Sequence, residues 1–211
     1  MDLTIVQLSS FAIYGLLAAL SFFAVTVGFF KMAQFSRLGV GHRKEAECIL
    51  DDWLNGRVEE AINAAGKRKS VLARILQAVF SGIQARPGDT SYAEELSRQT
   101  AIIELASLSE RMRSLDMVVQ AAPMLGLLGT VIGMIDSFSV LAVTDGAIDP
   151  TQLASGIYVA LTTTAAGLGI ALLAFFIVTW LEGRIDRERN MMEALMSAAI
   201  HGRVDPNATA P

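Results

Sequence analysis

The chain has 211 residues, of which 53% are hydrophobic and only 18% charged, with a formal net charge of −4. An average soluble domain is about 25% charged, and here charge is also missing from whole stretches, so an ordinary soluble enzyme is not expected. The acidic balance argues against a nucleic-acid binder, and the single cysteine, Cys48, excludes an intrachain disulfide framework and a cysteine-based zinc site.

Residues 3–30, 117–135 and 150–181 carry no charged side chain. A helix needs about 20 apolar residues to cross a bilayer, so each stretch is close to spanning length or longer. Thirteen of the Lys and Arg residues lie between Lys31 and Arg113, and the other four between Arg184 and Arg203. Cations accumulate on the cytoplasmic side. The pattern predicts an all-α polytopic membrane protein with three transmembrane helices, its N-terminus outside and its C-terminus inside. Residues 1–30 form the outer N-terminus and first span (about 8–30), and residues 31–116 a cytoplasmic helical region. Residues 117–181 hold the second span (about 117–141), a short outer loop near Asp145–Asp149 and the third span (about 153–181). Residues 182–211 form a cytoplasmic amphipathic helix, Arg184–Ile200, and a disordered tail, Val204–Pro211. The opening Met1-Asp2-Leu3 has no basic residue before the apolar run, which predicts a retained anchor rather than a cleaved signal peptide.

Between Lys31 and Asp116 the 13 basic and 12 acidic residues nearly balance, as suits a folded, solvated helical region. Lys44–Ala65 reads as one helix, with Ile49, Trp53 and Leu54 on one face and Cys48 as an inert packing residue. Ser70–Ala85 reads as a second, with Val71, Ile75, Val79 and Ile83 at helical spacing. Arg86-Pro87-Gly88-Asp89 is a break. A third helix starts with the capping-box sequence Ser91-Tyr92-Ala93-Glu94. Its apolar positions Leu96, Ile103, Leu108, Met112 and Leu115 lead into the second span without a breaker, which predicts one long helix running to residue 141.

On a helical projection, Ala122, Gly126, Gly129, Gly133 and Ser137 of the second span fall within about 80° of each other, with Thr130 at the border. In the third span Ala160, Thr164, Gly167 and Ala171 fall within about 60°, flanked by Thr163. Small residues let membrane helices approach closely. Threonine hydroxyls beside them, at mid-membrane depth, bond their own backbone or hold water. Asp136 is the only ionisable residue in a predicted span, which makes it the candidate ion-transfer carboxylate. It lies close to the outer end of the span, about 120° from Thr130. The two histidines, His42 and His201, fall outside the spans, and no Ser-His-Asp or metal-ligand spacing occurs. An enzyme is therefore not expected, nor a cofactor or a metal.

The run Ala122-Pro123-Met124-Leu125-Gly126-Leu127-Leu128-Gly129-Thr130-Val131-Ile132-Gly133-Met134 resembles the second-span signature of the MotA/TolQ/ExbB proton-channel family. Ala160-Leu161-Thr162-Thr163-Thr164-Ala165-Ala166-Gly167-Leu168 resembles its third-span signature, and the three-span plan is similar to ExbB and TolQ. The resemblance implies a bacterial inner-membrane homopentamer that encloses a dimer of an ExbD/TolR-like single-span protein. It further implies proton passage relayed by an aspartate of that partner, and rotation that drives work at the outer membrane or envelope through a TonB-like or TolA-like transducer. Thr130 and Thr164 match the pore threonines of the second and third spans, Thr163 lies beside the latter, and Pro123 matches the proline near the inner end of the second span. Two positions depart from the pattern. Val159 stands where ExbB and TolQ usually have a glutamate, and Ala171-Leu172-Leu173-Ala174 replaces their usual Ala-Ile-Pro. A chain with so little acid in its spans fits a subunit whose partner supplies the titrating group. The alternative function is a non-conducting membrane scaffold, whose small-residue faces only bind other helices.

Overall fold

A computed structural model describes residues 3–143 and 150–203. The expected outer loop at Asp145–Asp149 and the expected tail Val204–Pro211 lie outside these. The described residues form seven α-helices and no strand: α1 (Leu3–Arg37), α2 (Arg43–Leu54), α3 (Val58–Lys67), α4 (Val71–Ala85), α5 (Thr90–Ser109), α6 (Met112–Val143) and α7 (Pro150–His201). Three stretches, in α1, α6 and α7, are long and apolar enough to cross a membrane, with mean hydropathies of 2.1, 1.9 and 2.1. At 1.5 Å per residue the 52-residue α7 is about 78 Å long, far more than a hydrocarbon core of about 30 Å.

The chain divides into two compact units, one of residues 1–30 and 111–179 and the other of residues 31–110 and 180–211. In the first, α6 and α7 are antiparallel: Gly126 meets Thr163, Thr164 and Gly167, whereas Gly133, two turns on, meets Ala160. α1 runs parallel to α7. The Tyr14 hydroxyl donates to the Val159 carbonyl (3.4 Å), and a Cβ on Gly28 would touch Ile177 at 3.3 Å. Apolar side chains such as Phe11, Phe22, Phe29, Leu161 and Phe176 point outward, the arrangement that a lipid or subunit environment requires.

The second unit has a packed core. α4 buries Val71, Leu72, Ile75, Leu76, Val79 and Phe80, and its Gly82 sits so close to α5 that a Cβ there would lie 2.6 Å from the Cα of Ala93. Trp53 stacks on Phe80 at 4.1 Å and donates through Nε1 to the carbonyl of Ala199 (3.0 Å), which ties α2, α4 and the end of α7 together. Lys31 is fully buried near the end of α1. Its Nζ donates to the Leu108 carbonyl at 2.9 Å, in the last turn of α5, where a cation is favoured by the helix dipole.

Several expected features of this region are corrected. The helix expected over Lys44–Ala65 is two, α2 and α3, because Gly56 turns left-handed at φ +79° after Asn55. α5 begins at Thr90, and its cap is Asp89, whose Oδ1 accepts from the Tyr92 N–H at 3.3 Å, not Ser91. The long helix expected to run from there to residue 141 is broken between Ser109 and Met112, where Arg111 takes φ +66° and lays its guanidinium over the Phe30 ring at 4.6 Å. Cys48 is exposed rather than packed, as are Leu54 and Ile103; α5 buries the smaller Ala93, Ser97 and Ala101 instead.

Glu188, on α7, is 3% exposed. Its Oε2 accepts from the Gly41 N–H at 3.1 Å, and its Oε1 has no partner. Burial pushes its pKa above the usual glutamate value, against the opposing pull of the Gly41 bond, Arg184 and His42. Arg43 and Arg187 also face the cleft that Glu188 lines. A raised folded pKa means that the folded chain binds this proton more tightly than the unfolded chain. The stabilisation is complete below about pH 4.3, the unfolded value, and is lost as pH rises through the folded pKa. Thermal midpoints of the full-length protein are therefore expected to fall across that window, with a shallower slope in Glu188→Gln. Identical slopes would mean that the carboxyl is not desolvated.

Candidate functional site

The α6/α7 seam is built from residues too small to hold the helices apart. Gly126, Gly129 and Gly133 lie one helical turn apart on the side of α6 that meets α7. A Cβ on Gly126 would be 3.0 Å from the backbone of Thr163 and Thr164, and one on Gly129 would be 2.5 Å from the Thr163 hydroxyl. A Cβ on Gly133 would lie 2.8 Å from that of Ala160, and one on Gly167 would lie 2.5 Å from the Ala122 carbonyl oxygen. Ala122 and Ala160 are buried between the helices, and Ala171 is buried further along α7. The seam continues to Ser137, which abuts Gly156 closely and donates to the Gly133 carbonyl at 2.8 Å. Pro123 is accommodated inside α6. It has no N–H, so the carbonyl of Val119 lacks its usual helical partner.

The threonines meet at one carbonyl. The Thr164 hydroxyl donates to the oxygen of Gly126 at 2.9 Å. Thr163, 3% exposed, lies 3.3 Å from the same oxygen and donates to its own Ala160 carbonyl at 2.6 Å. In an α-helix that Gly126 oxygen also receives the N–H of Thr130. The Thr130 hydroxyl donates to the Leu127 carbonyl at 2.6 Å, and the half-buried side chain lines a shallow apolar recess with Met134 and Phe138. Both Thr130 and Thr164 thus spend their single O–H proton on backbone, which leaves their oxygens as acceptors.

Asp136 is half-buried, one residue before Ser137. Its backbone carbonyl accepts from the Ser139 hydroxyl at 2.9 Å, and its carboxylate has no hydrogen bond or ion pair among the described residues. It does not line the recess of Thr130. Val159 is 41% exposed, its side chain directed away from the seam that holds the neighbouring Ala160. No cluster of three metal-ligating side chains occurs among the described residues. Sequence reasoning missed two contacts: the Ser137–Gly156 approach and the Tyr14–Val159 bond. The helical projection places Ser137 on the small-residue face, but its opposite number depends on helix register, which a projection of one helix does not contain.

These features define a helical membrane protein whose second and third spans pack through a small-residue, threonine-bearing seam. The chain belongs to the MotA/TolQ/ExbB proton channel family, which its residues 67–194 match. It is 32% identical over 161 residues to a putative biopolymer transport protein ExbB homolog of Methanothermobacter thermautotrophicus, covering 71% of this chain and 55% of that protein. It is 33% identical over 163 residues to a putative ExbB-like biopolymer transport protein of Synechocystis, covering 76% and 63%. A 63-residue stretch is 51% identical to a biopolymer transport protein ExbB of Vibrio cholerae, covering 30% and 28%. The chain thus spans little more than half to under two thirds of the length of the first two relatives.

Proposed function

We propose that the chain is the proton-channel subunit of an ion-motive-force-driven motor in the bacterial inner membrane. The observation that carries this is the approach of the Thr163 and Thr164 hydroxyls to the Gly126 carbonyl, one turn before Thr130, within spans whose only charged side chain is Asp136. The acceptor oxygens of Thr130 and Thr164 suit a protonated carboxyl or water on a facing helix, and the buried Thr163 holds the seam beside them. In this reading Thr130, Thr163 and Thr164 line the pathway, and Asp136 is the one carboxylate of this chain available for ion transfer. The main titrating acid comes from an ExbD/TolR-like single-span partner. The N-terminus is outside and the charged 31–116 and 182–211 segments are cytoplasmic. A homopentamer around a partner dimer passes its work to the outer membrane or envelope through a TonB-like or TolA-like transducer.

The chemistry of the spans supports this over a non-conducting scaffold. A scaffold needs the glycines and alanines and gains from an interhelical bond such as Thr164–Gly126, but it has no use for the Thr130 hydroxyl, which bonds only its own helix. Native mass spectrometry of the complex, extracted gently from its own host, is expected to return five copies of this chain with two of a small single-span protein. A ring or monomer without such a partner across several detergents would favour the scaffold.

A further inference from the structure

The second unit contains a cleft of about 420 Å³ lined in part by Gly41, Arg43, Arg184, Arg187, Glu188 and Asn190. We propose that this cleft binds a phosphate ester whose head carries a hydrogen-bond donor, such as the ethanolamine or glycerol headgroup of a phospholipid. The site is independent of the proton-channel reading.

Two unsatisfied features of opposite sign define the ligand. Arg184 and Arg187 form no ion pair among the described residues, whereas Arg43 is engaged with Glu47 at 2.7 Å. Three residues apart on α7, Arg184 and Arg187 are neighbours on the helix surface. Guanidinium groups match phosphate oxygens in charge and in planar donor geometry. Beside them, the buried Glu188 has one oxygen held by the Gly41 N–H at 3.1 Å and the other without a partner. A simple anion would satisfy the arginines and leave that oxygen unmet. A phosphate bearing an ammonium or hydroxyl group satisfies both. Gly41, at φ +94°, lets the loop come in close: a Cβ there would lie 3.3 Å from Nη1 of Arg184.

Position along the chain favours the lipid source. Arg184 is the first cation after the uncharged 150–181 run, and Gly41 follows closely on α1, which contains the uncharged 3–30 run. The Arg184 guanidinium lies 5.2 Å from the centre of the Trp180 ring. Tryptophan settles at headgroup level, and basic pockets beside spans bind lipid headgroups there.

The test uses the full-length protein, delipidated in detergent and titrated with phospholipids under native mass spectrometry. Phosphatidylethanolamine and phosphatidylglycerol are expected to bind about tenfold more tightly than phosphatidylcholine, whose quaternary head has no donor. Arg184→Gln with Arg187→Gln is expected to weaken all three by about tenfold or more. Glu188→Gln is expected to erase the preference among them while keeping the Gly41 bond. The amide oxygen stays on the Gly41 N–H, so the amide nitrogen, a donor, replaces the free acceptor. Competition by glycerophosphoethanolamine at concentrations comparable to the lipid would identify a soluble phosphate ester as the source; failure to compete would identify the lipid. Equal binding of phosphatidylcholine, or binding unchanged in the double arginine variant, would overturn the proposal.

Discussion

Gly167→Ala is expected to lower the thermal midpoint of the detergent-solubilised protein by several degrees, while Gly169→Ala leaves it unchanged or raises it slightly. The two glycines are two residues apart on the same helix, so intrinsic helix propensity favours alanine at both. Their surroundings differ completely. The new methyl at 167 would lie 2.5 Å from the Ala122 carbonyl oxygen and 3.0 Å from the Cα of Gly126, whereas nothing lies within 4 Å of one at 169. The obstructing atoms are backbone, and no rotamer change removes them. The helices must separate, which lengthens the Thr164–Gly126 hydrogen bond as well. Overpacking of this kind costs about 1–3 kcal/mol, and without a hydrophobic drive between membrane helices little else offsets it. Fluorescence-detected size exclusion after heating provides the midpoints. Equal midpoints for the two variants would show that α6 and α7 do not pack at this distance.

The parts of the fold that were legible in the sequence are those fixed by one-dimensional rules. The absence of charge over a spanning length marks α1, α6 and α7, and a helical projection gathers Gly126, Gly129 and Gly133 on one face. What was not legible depends on neighbours distant in sequence. Nothing local to Glu110 and Arg111 breaks a helix. Arg111 takes its left-handed φ where its guanidinium stacks on Phe30, more than 80 residues earlier. Asn55-Gly56 is a local turn signal, but it is embedded in strong helix formers whose run extends from Lys44 to Ala65. The capping-box pattern at Ser91 falls two residues past the cap, and the bond from the Tyr92 N–H puts the cap at Asp89, within the break. Glu188 sits in a run of alternating charge that resembles a solvated face, so its burial is invisible until Gly41 folds over it. The same limit applies to the candidate site. Composition and spacing identify threonines near a small-residue face, but that Thr163 and Thr164 both reach the Gly126 oxygen follows from the register of α6 against α7.

That shared oxygen allows conduction to be separated from packing. Thr164→Val keeps the shape of the side chain and removes the hydroxyl, and the Gly126 carbonyl retains its helical partner, the Thr130 N–H. An interhelical hydrogen bond in a membrane contributes only about 0.6 kcal/mol on average, so assembly is expected to survive. The Thr130 hydroxyl bonds only within its own helix, to Leu127, so Thr130→Val is expected to change stability even less. In the channel reading both variants lose an acceptor for the species that carries the proton. A hydrogen bond to a charged group contributes about 1.5–3 kcal/mol, so each variant is expected to reduce proton flux at least about tenfold. Thr164→Ser, which keeps the oxygen, should restore most of it. Thr162→Val is the control, because its hydroxyl donates to the Tyr158 carbonyl at 2.8 Å on an exposed face of α7. Dye-quench flux in liposomes containing the co-purified partner measures these four variants and the double variant. Wild-type flux in Thr130→Val combined with Thr164→Val would remove the hydroxyls from the pathway. The seam would then be only a packing surface, and the scaffold reading would account for the chain.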